Sequence, residues 1–384
     1  MNNQSTLFFH SEEADPFSRY EHQRLQQPLF WDEQDQIWAA YSYEICQQLL
    51  IHPAVHVPNG VTGEMTGLSN LATTLRSNLA RLSNPPLHGQ ARQLASGLFN
   101  TMQPVSMAKL LARLLSSSNK TGKLDWVEVV AKKLPVLAVL AGLEFSLVDI
   151  VLVLERISVL PRLMLPQASE DECRAINEAV ARLYPVIEQH IRNKPELSVL
   201  LESLPDQTDV LPLVSNLMGL LIQSADAGRG LLTNALVQTL SQSPKPTEKR
   251  SDLSYLRRNV LETLRFDPPI HNTRRIMAQD AEVGRASLRK GQSVLLVLAA
   301  ANRDSSRFVC PHQFNPERST NAELLTFGTG IHSCIARHLV AEQTAQALAW
   351  LFSTYPQVQL FDKSSRYEPL INARLRKQLR IILH

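Results

Sequence analysis

Apolar residues recur every three or four positions through 107–115, 126–143, 176–191 and 211–240. That spacing collects them on one face of an α-helix, so most of the chain is predicted to be helical. Pro135 and Pro185 fall inside two of these stretches. A helix-interior proline removes an amide donor and crowds the preceding turn, so each stretch is expected to kink or split there. Runs with strand character are short: 37–41, 294–298 after a turn at Lys290-Gly291, and the tail 380–383. Pro244 and Pro246, set among charges, mark 242–251 as an exposed loop rather than a domain linker. The segment 56–86 mixes Gly, Thr, Ser, Asn and Pro with few apolar repeats. It reads as a long, partly irregular connection, either a cover over a site or a surface loop without a role.

Composition narrows the class. With 384 residues and 44% hydrophobic positions, the chain has enough core to bury a cofactor. No apolar run reaches the roughly 18 residues that a membrane helix needs. The polar, acidic start has no basic stretch followed by an apolar one, so no signal peptide is expected and a cytoplasmic location is. A net charge of +3 is too small to argue for nucleic acid. Cys46, Cys173, Cys310 and Cys334 form no CxxC pair and no zinc spacing, so unbridged thiols in a reducing compartment are expected.

The most informative stretch runs Leu325-Thr326-Phe327-Gly328-Thr329-Gly330-Ile331-His332-Ser333-Cys334-Ile335-Ala336-Arg337. Its glycines permit a tight turn with positive φ. Cys334 then stands before a helix-like run, 335–352, where unpaired amides and the helix dipole favour a thiolate. An anionic sulfur is what a ferric haem needs. On local physics alone, a buried structural cysteine after a glycine turn fits equally well.

The stretch resembles the haem-binding loop of the cytochrome P-450 family, F-x-x-G-x-H-x-C-x-G. Phe327, Gly330, His332 and Cys334 match, and Ala336 replaces the last glycine. Glu262-Thr263-Leu264-Arg265 resembles the family's E-x-x-R helix, and Phe314-Asn315-Pro316-Glu317-Arg318 its F-x-P-x-R loop. Ala300-Ala301-Asn302-Arg303-Asp304 matches an A-N-R-D stretch between them. The resemblance implies that Glu262, Arg265 and Arg318 form a buried carboxylate–guanidinium cluster beneath the cysteine loop. It implies haem b (iron protoporphyrin IX) as cofactor, Cys334 as metal ligand, and Phe327, Gly328 and Ala336 beside the ring. His88 and Arg92, in Pro86-Leu87-His88-Gly89-Gln90-Ala91-Arg92, resemble the family's H-x-x-x-R propionate partners, with Asn84 as helix N-cap. Arg275, or its neighbour Arg274 in the same role, and His332 are the other propionate partners implied.

Within the apolar stretch 211–240 sits Gln223-Ser224-Ala225-Asp226-Ala227-Gly228-Arg229-Gly230. Polar residues and glycines inside a helix core are costly, and local rules broken together point to a functional site. In the family this helix carries an acid followed by threonine that delivers protons on the oxygen side. Asp226 matches the acid, but Ala227 stands where the threonine is expected. Asp226 is thus either a proton relay or a structural partner of Arg229. For the missing alcohol three readings stay open. The substrate or a water supplies it, with Gln223 or Ser224 assisting; peroxide is the oxidant; or the oxidation is atypical (coupling, desaturation or N-oxidation). The first is favoured.

The resemblance therefore implies a mainly α fold with a small β-rich lobe, the cytochrome P-450 fold, as one domain over 1–384 with 1–14 as a loosely ordered tail. It implies a monooxygenase of small organic molecules, with a place in secondary metabolism. Electrons are expected from a separate ferredoxin and ferredoxin reductase, with Arg92, Arg337 and His338 as a basic docking face. Gln223, Asp226, Ile270, His271 and Asn272 are the expected substrate pocket. A rival of another class is a non-catalytic haem sensor or carrier.

Overall fold

The computed structural model describes residues 5–58, 66–116, 122–165, 168–204, 206–241, 250–361 and 366–383. They form two compact units, each discontinuous in sequence. One comprises Met1–His56, Met107–Ala131 and Ala227–His384; the other comprises Val57–Ser106 and Lys132–Asp226.

The predicted helices are present as Met107–Ser116, Leu134–Gly142, Glu170–Asn193 and Leu211–Ser241. The expected break before Pro135 falls between a π-helical turn, Val127–Ala131, and Leu134–Gly142, where the proline sits in the first turn and costs no amide bond. Pro185, by contrast, stays inside the 24-residue helix Glu170–Asn193. That helix starts with a capping box between Ser169 and Glu172, and eight of its side chains are buried.

The first unit holds the sheets. A five-stranded sheet runs in the order Leu29–Asp32, Ile37–Ala40, Ser293–Leu296, Thr273–Met277, Val55–His56. Its middle pair, Ile37–Ala40 with Ser293–Leu296, is parallel, and the other pairs are antiparallel. Successive residues face opposite sides of a strand. Ile37, Ala39 and Leu295 accordingly enter one buried cluster, while Ala40, Val294 and Leu296 enter another. A sheet covered on both faces explains why these strands read as apolar runs rather than alternating ones. The turn at Lys290-Gly291 is present, with Gly291 at φ +86°. The tail strand Arg380–Ile382 pairs with Lys123–Asp125 and Gln359–Leu360.

Two expectations need correction. Residues 5–14 are not a loose tail. The amides of Thr6 and Leu7 donate to Asp32 and Asp35 at 2.8 and 2.7 Å, and His10 is 1% exposed. Within the described part of 56–86, part of the chain is regular. Ser69 caps a helix, Asn70–Ser77, whose Ala72 and Leu75 are buried. The capping serine and the three-residue apolar spacing were present in the sequence, but the Gly, Thr and Asn bias masked them. Asn84 is not an N-cap either. Its amide side chain binds both the N–H and the carbonyl of Val57, at 2.9 and 2.8 Å. Of the expected loop 242–251, residues 242–249 lie outside the described residues.

His10 belongs to an aromatic cluster that anchors the N-terminal segment. Its ring meets that of His271 edge-on at 4.4 Å, and Tyr20 Oη lies 3.1 Å from His271 Nδ1. Burial, reinforced by the Arg374 charge, lowers the pKa of His10 from 6.5 to about 3. Burial also holds His271 well below its usual range, with His10, Arg374 and Arg303 adding to the effect. Both rings are therefore neutral in the folded protein, while the unfolded chain takes up a proton at each below pH 6.5. Stability is full above that value and falls with acid, for His10 toward pH 3 by roughly 1.4 kcal/mol per pH unit, with His271 acting in the same direction. A series of thermal midpoints against pH checks this. The His10→Phe variant is expected to show a shallower acid limb than the wild type.

Candidate functional site

The cysteine loop takes its shape from two glycines. Gly328 and Gly330 sit at φ +63° and +73°, the left-handed region that costs other residues strain. At Gly330 a Cβ would also stand 3.2 Å from the Leu50 carbonyl. The loop closes through the Cys334 N–H, which donates to the Phe327 carbonyl at 2.9 Å. Helix Arg337–Thr354 begins two residues later than the pattern predicted, after a turn at Ile335 and Ala336. From Thr326 to Val340 every residue is half-buried or exposed, although Phe327, Ile335, Leu339 and Val340 are apolar. An apolar, accessible loop around a half-buried thiol suits a flat apolar ring with a thiolate ligand.

Behind the loop lies a buried ion-pair cluster. Arg265 grips Glu262 through two bonds of 2.7 and 2.8 Å, and both side chains are fully buried. Such a pair is tolerable only if every remaining donor and acceptor is met. Here Arg265 also donates to the carbonyls of Asn302, Pro311 and Gln313. Glu262 accepts from the Asn315 amide at 2.8 Å. Arg318 Nε stands 3.5 Å from Glu262, while its other nitrogens bind the carbonyls of Val309, Cys310 and Gln313. The three residues expected to cluster do so.

The long helix Leu211–Ser241 carries a second feature. It is buried over several turns on either side of its middle, yet Leu220, Gln223, Ser224, Asp226 and Ala227 are accessible. Positions 220, 223, 224 and 227 share one helix face. Ser224 Oγ donates to Leu221 O at 2.8 Å and Gln223 Nε2 to Gly219 O at 3.0 Å, so both are bonded to their own helix. Arg229 pairs with Glu368 at 2.7 Å and also binds the Arg376 carbonyl. Gly230 is a packing glycine: a Cβ there would fall 2.4 Å from Pro269 Cβ.

Comparison with known proteins supplies the identity. A family model described as cytochrome P-450 matches residues 232–373. The 6-deoxyerythronolide B hydroxylase of Saccharopolyspora erythraea is 30% identical over 296 residues, covering 72% of this chain and 70% of that one. The chain belongs to the cytochrome P-450 family. Cytochrome P-450 BJ-3 of Bradyrhizobium diazoefficiens is 27% identical over 338 residues, covering 81% of this chain and 78% of that protein. Among solved structures, P-450BioI in complex with hexadec-9Z-enoic acid ligated acyl carrier protein superposes with a TM-score of 0.86 at 22% identity. The match covers 98% of this chain and 100% of that one. The fold is the expected P-450 fold, mainly helical with small sheets. The protein is a P-450 monooxygenase, and the cofactor of the family is haem b. No helix among the described residues is long and apolar enough to cross a membrane.

Not every P-450 residue expected from the sequence lies where it was expected. His271 is fully buried, with its ring in the Tyr20, Phe17 and His10 cluster, so it does not line a pocket. Asn272 is 7% exposed, and its side chain ties to the Ile371 carbonyl at 2.9 Å. Ile270 is half-buried and bridges to Ala373. The segment reads as polar and accessible in one dimension, but the N-terminal residues that bury His271 lie some 250 positions away in sequence. Arg275 lies on the strand Thr273–Met277, where Nη1 donates to Thr273 Oγ1 at 2.7 Å. His88 is buried on helix Leu87–Asn100, where burial, with the neighbouring Arg92 charge, lowers its pKa.

Asn302, Arg303 and Asp304 were matched to the family without a role, and the structure supplies one for each. Asn302 links the ion-pair cluster to the cysteine loop. Arg303 is sandwiched between Phe17 and Phe266, at 3.6 and 3.8 Å from the ring centres. Asp304 accepts from the Tyr43 amide and pairs with Arg24, each at 2.9 Å.

Proposed function

We propose that the chain is a single cytochrome P-450 domain that hydroxylates a small organic molecule, with Cys334 as the residue whose sulfur would hold the haem iron and Asp226 moving protons. When bound, haem supplies the activation of dioxygen and the transfer of one oxygen atom. Phe327, Gly328 and Ala336 would flank the ring near the sulfur. Arg275, His332, His88 and Arg92 would hold the propionates, as the family's motif positions imply. Electrons come from a ferredoxin and its reductase, which dock on the basic Arg337 and His338, and the protein works in the cytoplasm.

The observation that carries this reading is the accessible stretch at the middle of the long helix. Asp226 and Ala227 sit in the one stretch of that helix's middle that is open, among residues otherwise packed away. The hydroxyl lost with threonine must come from elsewhere. Ser224 spends its only proton on Leu221, which favours the substrate or a water as its source. The relative named as a hydroxylase of 6-deoxyerythronolide B supports hydroxylation as the reaction class. Ala227 also supports a second reading, in which peroxide is the oxidant.

One experiment tests both. With a surrogate ferredoxin system, Asp226→Asn is expected to lower turnover by about a hundredfold or more, the usual worth of a positioned acid. Undiminished turnover rules out the relay. Equal loss of the peroxide-driven and reductase-driven reactions would place the defect outside proton delivery.

A further inference from the structure

A chain of hydrogen bonds leads from the buried ion pair to the start of the cysteine loop. Arg265 Nη1 donates to the Asn302 carbonyl at 3.0 Å. The fully buried Asn302 side chain then works in both directions. Its Oδ1 accepts from the Leu325 amide at 2.7 Å, and its Nδ2 donates to Thr326 Oγ1 at 2.7 Å. Thr326 Oγ1 in turn donates to the Leu264 carbonyl at 2.6 Å, back on the helix that carries Arg265. Phe327 follows directly, and its carbonyl receives the Cys334 amide.

We propose that Asn302 and Thr326 are positioning residues for the Cys334 sulfur. The proposal rests on the reading of Cys334 as the haem ligand. Between Phe327 and Cys334 the loop contains two glycines in left-handed conformations and no fully buried side chain. Its geometry depends on how its ends are held as well as on the bond from the Cys334 amide to the Phe327 carbonyl. One end is the helix that starts at Arg337; the other is the clamp on Leu325 and Thr326. An amide side chain is suited to this clamp because it accepts and donates at once, which neither an acid nor an aliphatic residue can do. Removing either partner leaves a buried donor or acceptor unmet, and the loop relaxes to satisfy it. A shifted sulfur loses the environment that keeps it anionic.

The test uses the haem-loaded full chain and the spectrum of its reduced carbon monoxide complex, which distinguishes thiolate from protonated thiol ligation. Thr326→Val, which keeps the shape and removes the hydroxyl, and Asn302→Ala are each expected to raise the ratio of thiol to thiolate form about tenfold. Thr326→Ser, which restores the hydroxyl, is expected to match the wild type. Thr344→Val serves as control. It removes a buried hydroxyl that donates to Val340 O at 2.7 Å on its own helix. It should lower the thermal midpoint without moving the ratio. If Asn302→Ala does not hold haem, Thr326→Val decides alone. A wild-type ratio in Thr326→Val, with only its thermal midpoint lowered, overturns the proposal. A wild type without any thiolate band instead overturns the assignment of Cys334.

Discussion

Replacing Cys334 by alanine is expected to reduce monooxygenase turnover to background while leaving the fold nearly as stable as before. The two effects separate because of where the residue sits. Cys334 is half-buried and its neighbours are accessible, so losing the sulfur removes little packing. In the haem-free protein, substitutions at such positions usually stay within about 0.5 kcal/mol. Its chemistry has no substitute, since alanine has no lone pair to donate to a metal. The reduced carbon monoxide complex should lose the absorption band that names the family, and product formation should stop with it. Cys46→Ala provides the reverse case. Cys46 is fully buried, its thiol donates to the Ala40 carbonyl at 3.4 Å, and burial pushes its pKa up, away from thiolate. That variant should lose stability, on the order of 1 kcal/mol, and keep the band. An unchanged band in Cys334→Ala would remove the basis for the haem-thiolate reading.

The second large effect is on folding. Arg265→Leu is expected to cost roughly 3–5 kcal/mol, the usual consequence of leaving one member of a buried ion pair without its partner. Glu262 would remain fully buried, with only the Asn315 amide and the more distant Arg318 guanidinium facing it. The carbonyls of Asn302, Pro311 and Gln313 would lose their Arg265 bonds at the same time. Arg265→Lys should fare little better. A single ammonium cannot bind both carboxylate oxygens and reach these carbonyls as a planar fork does. Denaturant midpoints measure the loss, and haem content after purification should fall in parallel. A Lys variant with wild-type midpoint and haem content would show that the bidentate geometry is dispensable.

The site was legible in the sequence wherever chemistry depends on local order. The glycines, histidine and cysteine of 327–334 lie in one loop, and an i, i+3 spacing alone brings Glu262 and Arg265 to one helix face. The Ala227 substitution is a one-dimensional fact. Side chains whose direction is set by a distant segment were not legible. His271 was expected in a pocket and is instead buried beside His10 and Tyr20, because nothing near position 271 records which segment covers it. The N-terminal segment was misjudged for the same reason, since Asp32 and Asp35 capture its amides.

By itself, then, the sequence determined that this protein is mostly helical, with a cysteine poised in a glycine loop. These properties follow from periodicity, φ preferences and residue identity, all of which act over a few positions. Only the tertiary structure decided that Asn302 joins the ion pair to that loop, that Arg229 answers Glu368, and that one face of the long helix stays open at Ala227. Those outcomes depend on which buried polar groups meet across the fold, and unmet partners there are costly enough to dictate the arrangement.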